Sequence, residues 1–223
     1  MDRVPSDLLL MLLSDARLPV AGHTQSAGLE AAVQHGLSSA EVPAYISARL
    51  ATTVRVEAGT AVVALHRLTH ELPLEPVVAA WAARTPSHAL RRTSRAQGRA
   101  MNRLSSFLWT DDGAVRRVER LDGCPRPVAL AGAAAAAGLD ALSLARLVGY
   151  DDVQTVASAS LKLLPLDPAE ATGWVHDALP GVAVVARDVA GATDPRDIPA
   201  TAAPQTEVWA QAHARSTRRL FSA

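Results

Sequence analysis

The sequence predicts an all-α fold, a single-domain bundle of roughly ten helices with no sheet. Three observations carry this reading. The 223 residues are 49% hydrophobic but only 4% aromatic, with Ala and Leu abundant, which favours helix over strand. Helix start and stop chemistry recurs along the chain, with Ser or Asp caps at the starts and Gly or Pro at the ends. No alternating apolar–polar run bounded by hairpin turns occurs; Val182–Ala186 is the single strand-like stretch, and it has no partner to pair with. A chain of this length buries a substantial core.

Ser6 caps a first helix running to about Asp15, which Pro19 and Gly22 then interrupt. A short helix follows over Ser26–His35, closed by Gly36. Ser38-Ser39-Ala40-Glu41 has the spacing of a capping box and opens a helix that tolerates Pro43 in its first turn and reaches about Val56. Gly59 is a weak point, after which helix resumes to about His70. Val77–Arg84 is short. Pro86-Ser87 opens a long helix over His88–Trp109, and Asp111-Asp112-Gly113 reads as a turn. Val128–Ala137 is Ala-rich and stops at Gly138. Asp140 caps a helix reaching Leu164, where Pro165 ends it. Asp167-Pro168-Ala169-Glu170 starts the next, expected to stop near Leu179 at Pro180-Gly181, with a further turn or two over Val182–Val189. Residues 190–204 have no periodicity and read as a loop or tether between a helical domain (1–189) and a C-terminal helix and partner-docking tail (205–223), helical over Glu207–Leu220.

Lys plus Arg and Asp plus Glu both number 22, so the net charge is +0 and there is no basic excess of the kind nucleic-acid binders carry. Cys124 is the one cysteine, so no intrachain disulfide forms, in keeping with a reducing compartment. The apolar run Leu8–Leu13 is too short for a membrane span and lacks a signal-peptide layout. The expectation is a cytoplasmic protein with no membrane and no nucleic-acid partner.

No Gly-x-x-x-x-Gly-Lys-Ser/Thr phosphate loop and no Gly-x-Ser-x-Gly nucleophile elbow occurs, which favours a binding protein over an enzyme. His66 and His70 are one helical turn apart, a spacing that suits a metal pair, but no neighbouring carboxylate or Cys completes a ligand set, so the pair reads as a solvated helix end. Cys124, in a Pro/Gly loop, reads as incidental. No metal site and no catalytic set are expected.

The long central helix carries the strongest pattern. His88, Arg91, Arg92, Arg95, Arg99 and Arg103 fall within a sector of about 120°, opposite Leu90, Met101, Leu104 and Leu108. The excess is Arg rather than Lys, and Arg suits planar pairing with carboxylates, so Arg95 and Arg99 are candidate protein contacts. Ser94 and Gln97, beside the apolar stripe, need hydrogen-bond partners. At the C-terminus, Arg218, Arg219, Leu220 and Phe221 place charge and an aromatic at an extreme terminus after a tether. They are expected to dock a partner and to be dispensable for folding.

Leu18-Pro19-Val20-Ala21-Gly22-His23-Thr24-Gln25-Ser26-Ala27-Gly28-Leu29-Glu30 resembles the N-terminal signature of the UreF family, and a tail of Arg219-Leu220-Phe221 six residues after His213 resembles its end. Three internal stretches are similar to the same family: Ser94 to Arg99 within the Arg-rich helix, Pro127-Val128 with Gly132, and Ala159 to Leu166. Departures stand at Ala21, Ala27, Lys162, Asp167-Pro168 and Ala214, where the family commonly has Gly, Gly, Arg, Gly-Gln and Glu. The resemblance implies an all-α homodimer. It implies a non-catalytic scaffold in urease maturation that works with UreD (also called UreH) and the GTPase UreG to insert nickel into apo-urease, the nickel being handled by the complex with no cofactor assigned to this chain. It also marks His23, Ser26, Glu30, His213, Arg218, Arg219, Leu220 and Phe221 as candidate partner contacts. The competing readings are a helical enzyme with a site assembled across the fold and an Arg-helix nucleic-acid binder.

Overall fold

The computed structural model describes residues 4–20, 24–216 and 220–221. Among these there is no strand; the chain forms α1 (Ser6–Leu13), α2 (Leu29–Gln34), α3 (Val42–Ala51), α4 (Thr53–Thr69), α5 (Glu75–Arg84), α6 (His88–Leu108), α7 (Gly113–Glu119), α8 (Arg126–Ala137), α9 (Ala141–Leu163), α10 (Pro168–Val189) and α11 (Pro204–His213), with single 3₁₀ turns at Ser39–Glu41 and Pro195–Asp197. The all-α expectation holds. Several starts follow the expected chemistry. Ser38 and Glu41 form a reciprocal capping box. Ser87 accepts from the Leu90 N–H, Asp140 from Ser143, and Asp167 from Ala169. Gly138 ends α8 in the left-handed conformation, φ 70°.

Helix α4 is the centre of the bundle. It is buried from Val54 through Leu68 along most of its length and packs against α8, α9, α3, α5 and α10. The other main partner is α8, most of whose Ala-rich sequence is buried against α4, α6 and α7. Small side chains let these axes approach. A Cβ on Gly132 would come within 2.9 Å of Val118 Cγ2, and one on Gly98 of α6 within 2.2 Å of the Cys124 carbonyl oxygen. α9 and α10, joined by a short turn, pack along each other and close the far side.

Five local expectations change. The break between α3 and α4 falls at Thr52 (φ −124°, ψ −90°), not at Gly59. Gly59 stays helical because Pro199 lies on it; an added Cβ would meet Pro199 Cδ at 2.6 Å. α10 runs through Pro180, whose missing N–H leaves a gap in the ladder opposite exposed His176, while Val182, Val185, Ala186 and Val189 on the following turns are buried and hold the helix together. The turn at Asp111-Asp112-Gly113 opens α7, with the Asp112 carboxylate accepting from Ala114 and Val115. The fourth concerns 190–203, which is no free tether. Ile198 is buried, its carbonyl accepts from Arg84 Nε at 2.8 Å, and the Thr201 hydroxyl donates to the Thr52 carbonyl at 2.7 Å. α11 ends at His213, short of the Leu220 expected.

Candidate functional site

The approach to α2 is held in an unusual backbone conformation. Ala27 (φ 52°) and Gly28 (φ 81°) are consecutive left-handed residues. The Ala27 carbonyl accepts from the Tyr45 hydroxyl at 2.8 Å, and a Cβ at position 28 would meet that same hydroxyl at 2.9 Å. The turn delivers Ser26, fully buried, whose hydroxyl accepts from the Glu30 N–H at 3.3 Å and whose carbonyl accepts from the Leu29 N–H at 2.9 Å. Ser26 thus satisfies otherwise orphaned donors at the start of α2.

Glu30 lies in the first turn of α2 and is only 4% exposed. Its carboxylate accepts three hydrogen bonds from the C-terminal part of the chain: His213 Nε2 at 2.9 Å, the Leu220 N–H at 2.6 Å and the Phe221 N–H at 2.9 Å. A buried carboxylate is tolerable only with such a donor set. His213 is equally buried, and Phe221 belongs to the main apolar core with Lys162 Nζ 5.3 Å from its ring centroid. Leu220 alone turns outward, 62% exposed.

Five of the residues singled out from sequence therefore converge: Ser26, Glu30, His213, Leu220 and Phe221. His23, Arg218 and Arg219 lie outside the described residues. Arg95 and Arg99 sit apart on α6. Arg99 is exposed, whereas the Arg95 side chain lies over Gly123, with its Nε buried and without a hydrogen-bond partner. The expectation that few core contacts depend on the tail is corrected here. Phe221 packs into its own domain because an aromatic ring and two backbone donors find an apolar pocket and a carboxylate in the same place.

The family of proteins with this arrangement follows from comparison. The UreF family model matches residues 29–179. The chain is 36% identical over 219 residues to urease accessory protein UreF of Mycobacterium sp. (strain JLS), covering 96% of this chain and 97% of that protein. The chain belongs to the UreF family. Matches of 35% over 223 residues to urease accessory protein UreF of Mycolicibacterium vanbaalenii, and of 33% over 217 residues to that of Mycobacterium tuberculosis H37Rv, have the same coverage of 96% and 97%. The UreF relatives thus align over nearly the whole chain.

One part of this UreF-family chain escaped the sequence reading. A cavity of about 140 Å³, with charged side chains set in a largely apolar lining, opens between α3, α4, α5, α6 and α9. Arg49 pairs with Asp152 through Nε–Oδ2 at 2.9 Å and Nη2–Oδ1 at 2.5 Å, and Arg126 pairs with Asp151 at 2.6 Å. Burial works against the Arg49 charge, but Asp152 and Tyr45 together outweigh it and hold the guanidinium in its charged form. Trp81 donates to Glu57 Oε1 at 2.8 Å, and burial pushes that carboxyl above its ordinary value. The available signal was the acidic pair Asp151-Asp152 in the middle of α9, between the buried Leu147-Val148 and Val153. Ser94 and Gln97 find their places here too: Ser94 Oγ accepts from the Arg126 N–H at 3.1 Å, and Gln97 lines the cavity.

Among the described residues no cluster of three or more His, Cys, Asp or Glu is placed to hold a metal ion, and no helix is long and apolar enough to cross a membrane. The Cys124 thiol is pushed up to about 12 by burial, so it is a packed thiol rather than a thiolate ligand.

Proposed function

We propose that this chain is a non-catalytic scaffold of urease maturation, which works as a cytoplasmic homodimer with UreD/UreH and the GTPase UreG in the insertion of nickel into apo-urease. The observation that carries the reading is full-length similarity to proteins named urease accessory protein UreF. The Glu30 cluster supports a scaffold rather than a reaction centre. Each group in it is already saturated by an internal hydrogen bond or by packing, which leaves a rigid mount and one outward residue, Leu220. In this reading Phe221 anchors the tail, Leu220 is presented to a partner, and the exposed Arg99 meets a partner's carboxylates.

The test is reconstitution. Apo-urease, UreD, UreG, nickel, GTP and bicarbonate should yield active urease only when this chain is added. The intact chain should also co-purify with UreD and UreG. Urease activation that proceeds equally without the chain defeats the proposal. Sedimentation of the isolated protein at micromolar concentration tests the homodimer, and a pure monomer would count against it.

A further inference from the structure

We propose that the cavity lined by α4, α6 and α9 is a binding site for a small organic cation, a primary ammonium on a short alkyl stem, with the Glu57 carboxylate as its counter-charge. Three helices each bring to this cavity two polar residues one helical turn apart: Thr53 and Glu57 on α4, Thr93 and Gln97 on α6, and Asp151 and Thr155 on α9. The site stands on these residues and does not depend on the role in urease maturation.

Glu57 differs from the other acids in the wall. Asp151 and Asp152 are closed by Arg126 and Arg49, and Glu207 accepts from the Ser87 N–H at 3.0 Å. Glu57 receives the Trp81 N–H on Oε1 at 2.8 Å, and no donor among the described residues reaches its Oε2. The side chains of Thr53, Thr93, Thr155 and Gln97 likewise make no hydrogen bond among the described residues, although each is half-buried. Polar groups withdrawn from bulk water are costly to leave unmet, so such a set marks a place where a polar occupant is held.

The wall selects the class of occupant. Among the described residues it holds three arginines and four acids, so it carries one net negative charge when all are ionised, which draws a cation and repels an anion. Burial pushes the Glu57 carboxyl above its ordinary value, and a cation bound beside it favours the charged form. An ammonium presents three donors and no acceptor, which suits a carboxylate oxygen and hydroxyls that lack partners. Val56, Leu90 and Val148 offer apolar surface to an alkyl stem. A volume of about 140 Å³ corresponds to roughly ten water-sized positions, which limits that stem to a few carbons. The carboxylates of Glu57, Asp151 and Asp152 do not come together as a metal-ligating group, so recognition falls to hydrogen bonds and charge.

Nuclear magnetic resonance titration of the full-length chain at constant ionic strength and neutral pH tests this, with the Trp81 indole N–H as the reporter because it donates to Glu57. The probes are propylammonium chloride and two molecules of nearly the same shape, propanol and sodium propionate. Propylammonium should shift the Trp81 indole signal in a saturable way, with an affinity about tenfold or more above that of either control, as a charge-assisted hydrogen bond supplies. Glu57→Gln keeps an acceptor for Trp81 and removes the charge; it should weaken propylammonium binding about tenfold or more. Glu170→Gln, at an exposed position on α10, should bind like the parent. A lysine with both backbone ends blocked carries the same ammonium on a peptide body: binding at least as tight as propylammonium assigns the site to a partner's lysine, and weaker binding assigns it to a free amine. Circular dichroism should report the same helicity for all variants. If Glu57→Gln loses helicity, Thr155→Val carries the comparison and should also bind propylammonium more weakly than the parent. Equal affinity in the parent and in whichever of these variants stays folded overturns the site, as does an equal response to all three probes or no saturable shift with propylammonium.

Discussion

The Glu30 carboxylate accepts His213 Nε2 at 2.9 Å across 183 positions of sequence, with both side chains almost wholly removed from solvent. The same carboxylate receives the backbone N–H groups of Leu220 and Phe221. One side chain therefore joins the start of α2, the end of α11 and the tail.

Glu30→Ala should destabilise the protein by about 3 kcal/mol, because His213 and two backbone donors lose their acceptor while remaining buried. Glu30→Gln retains one carbonyl acceptor but sets an amide donor against existing donors, so a loss of about 1–2 kcal/mol is expected. Urea unfolding followed by circular dichroism measures both. Equal stability of Glu30→Ala and the parent would show that the cluster contributes nothing to folding.

The tail separates into an anchor and a presented residue. Phe221→Ala should cost about 2 kcal/mol, below the usual range for a core Phe because a chain end relaxes into the space left behind. Leu220→Ala, at an exposed side chain, should shift stability by about 0.5 kcal/mol or less and yet impair urease activation in reconstitution. Deletion of residues 215–223 should lower the melting temperature measurably. A truncated chain with parental stability would mean that Phe221 does not pack as described.

Ala27→Gly should stabilise the protein by about 0.5–1 kcal/mol. The native φ of 52° costs an L-residue with a Cβ roughly 1–2 kcal/mol relative to glycine, of which glycine's larger unfolded-state entropy takes back a part. A melting temperature unchanged or lowered by the substitution would refute strain at this turn.

Glu57 yields a pH prediction. Burial beside Trp81 raises its pKa above the ordinary 4.5. A raised folded pKa means that the folded carboxyl binds its proton more tightly than the unfolded one. Its contribution to stability is therefore complete below the unfolded pKa and is lost as pH rises through the folded value. Glu57→Gln retains an acceptor for the Trp81 N–H and carries no charge. It should be closest to the parent near pH 4 and progressively more stable than the parent toward neutrality. Parallel stability curves for the two proteins across that window would contradict the assignment.

Arg99→Glu should weaken assembly with the maturation partners while leaving helicity nearly intact, since Arg99 is exposed. Arg95 is a less clean probe. Its side chain lies against Gly123, so reversal there disturbs packing as well as charge. Unchanged co-purification of the Arg99→Glu chain would make this helix face a solvated surface only.

The helices themselves were legible in the sequence because their signals are local. Ser38, Ser87, Asp140 and Asp167 act on donors within the next turn, and Gly138 closes its own helix through its own φ. Where burial competed with a local signal, burial prevailed. Gly59 stayed helical under Pro199, and Pro180 was carried through α10 by the buried residues that follow it. The two end signatures were also readable, as spaced residue types.

What the tertiary structure alone decided is what those residues touch. Nothing local to Glu30 announces that its partners are His213, Leu220 and Phe221, and nothing local to Asp152 announces Arg49. A helix cap acts over one turn and can be read from neighbours in sequence. A buried carboxylate must find donors wherever packing brings them, and that depends on how the helices close around α4 rather than on any single stretch of chain.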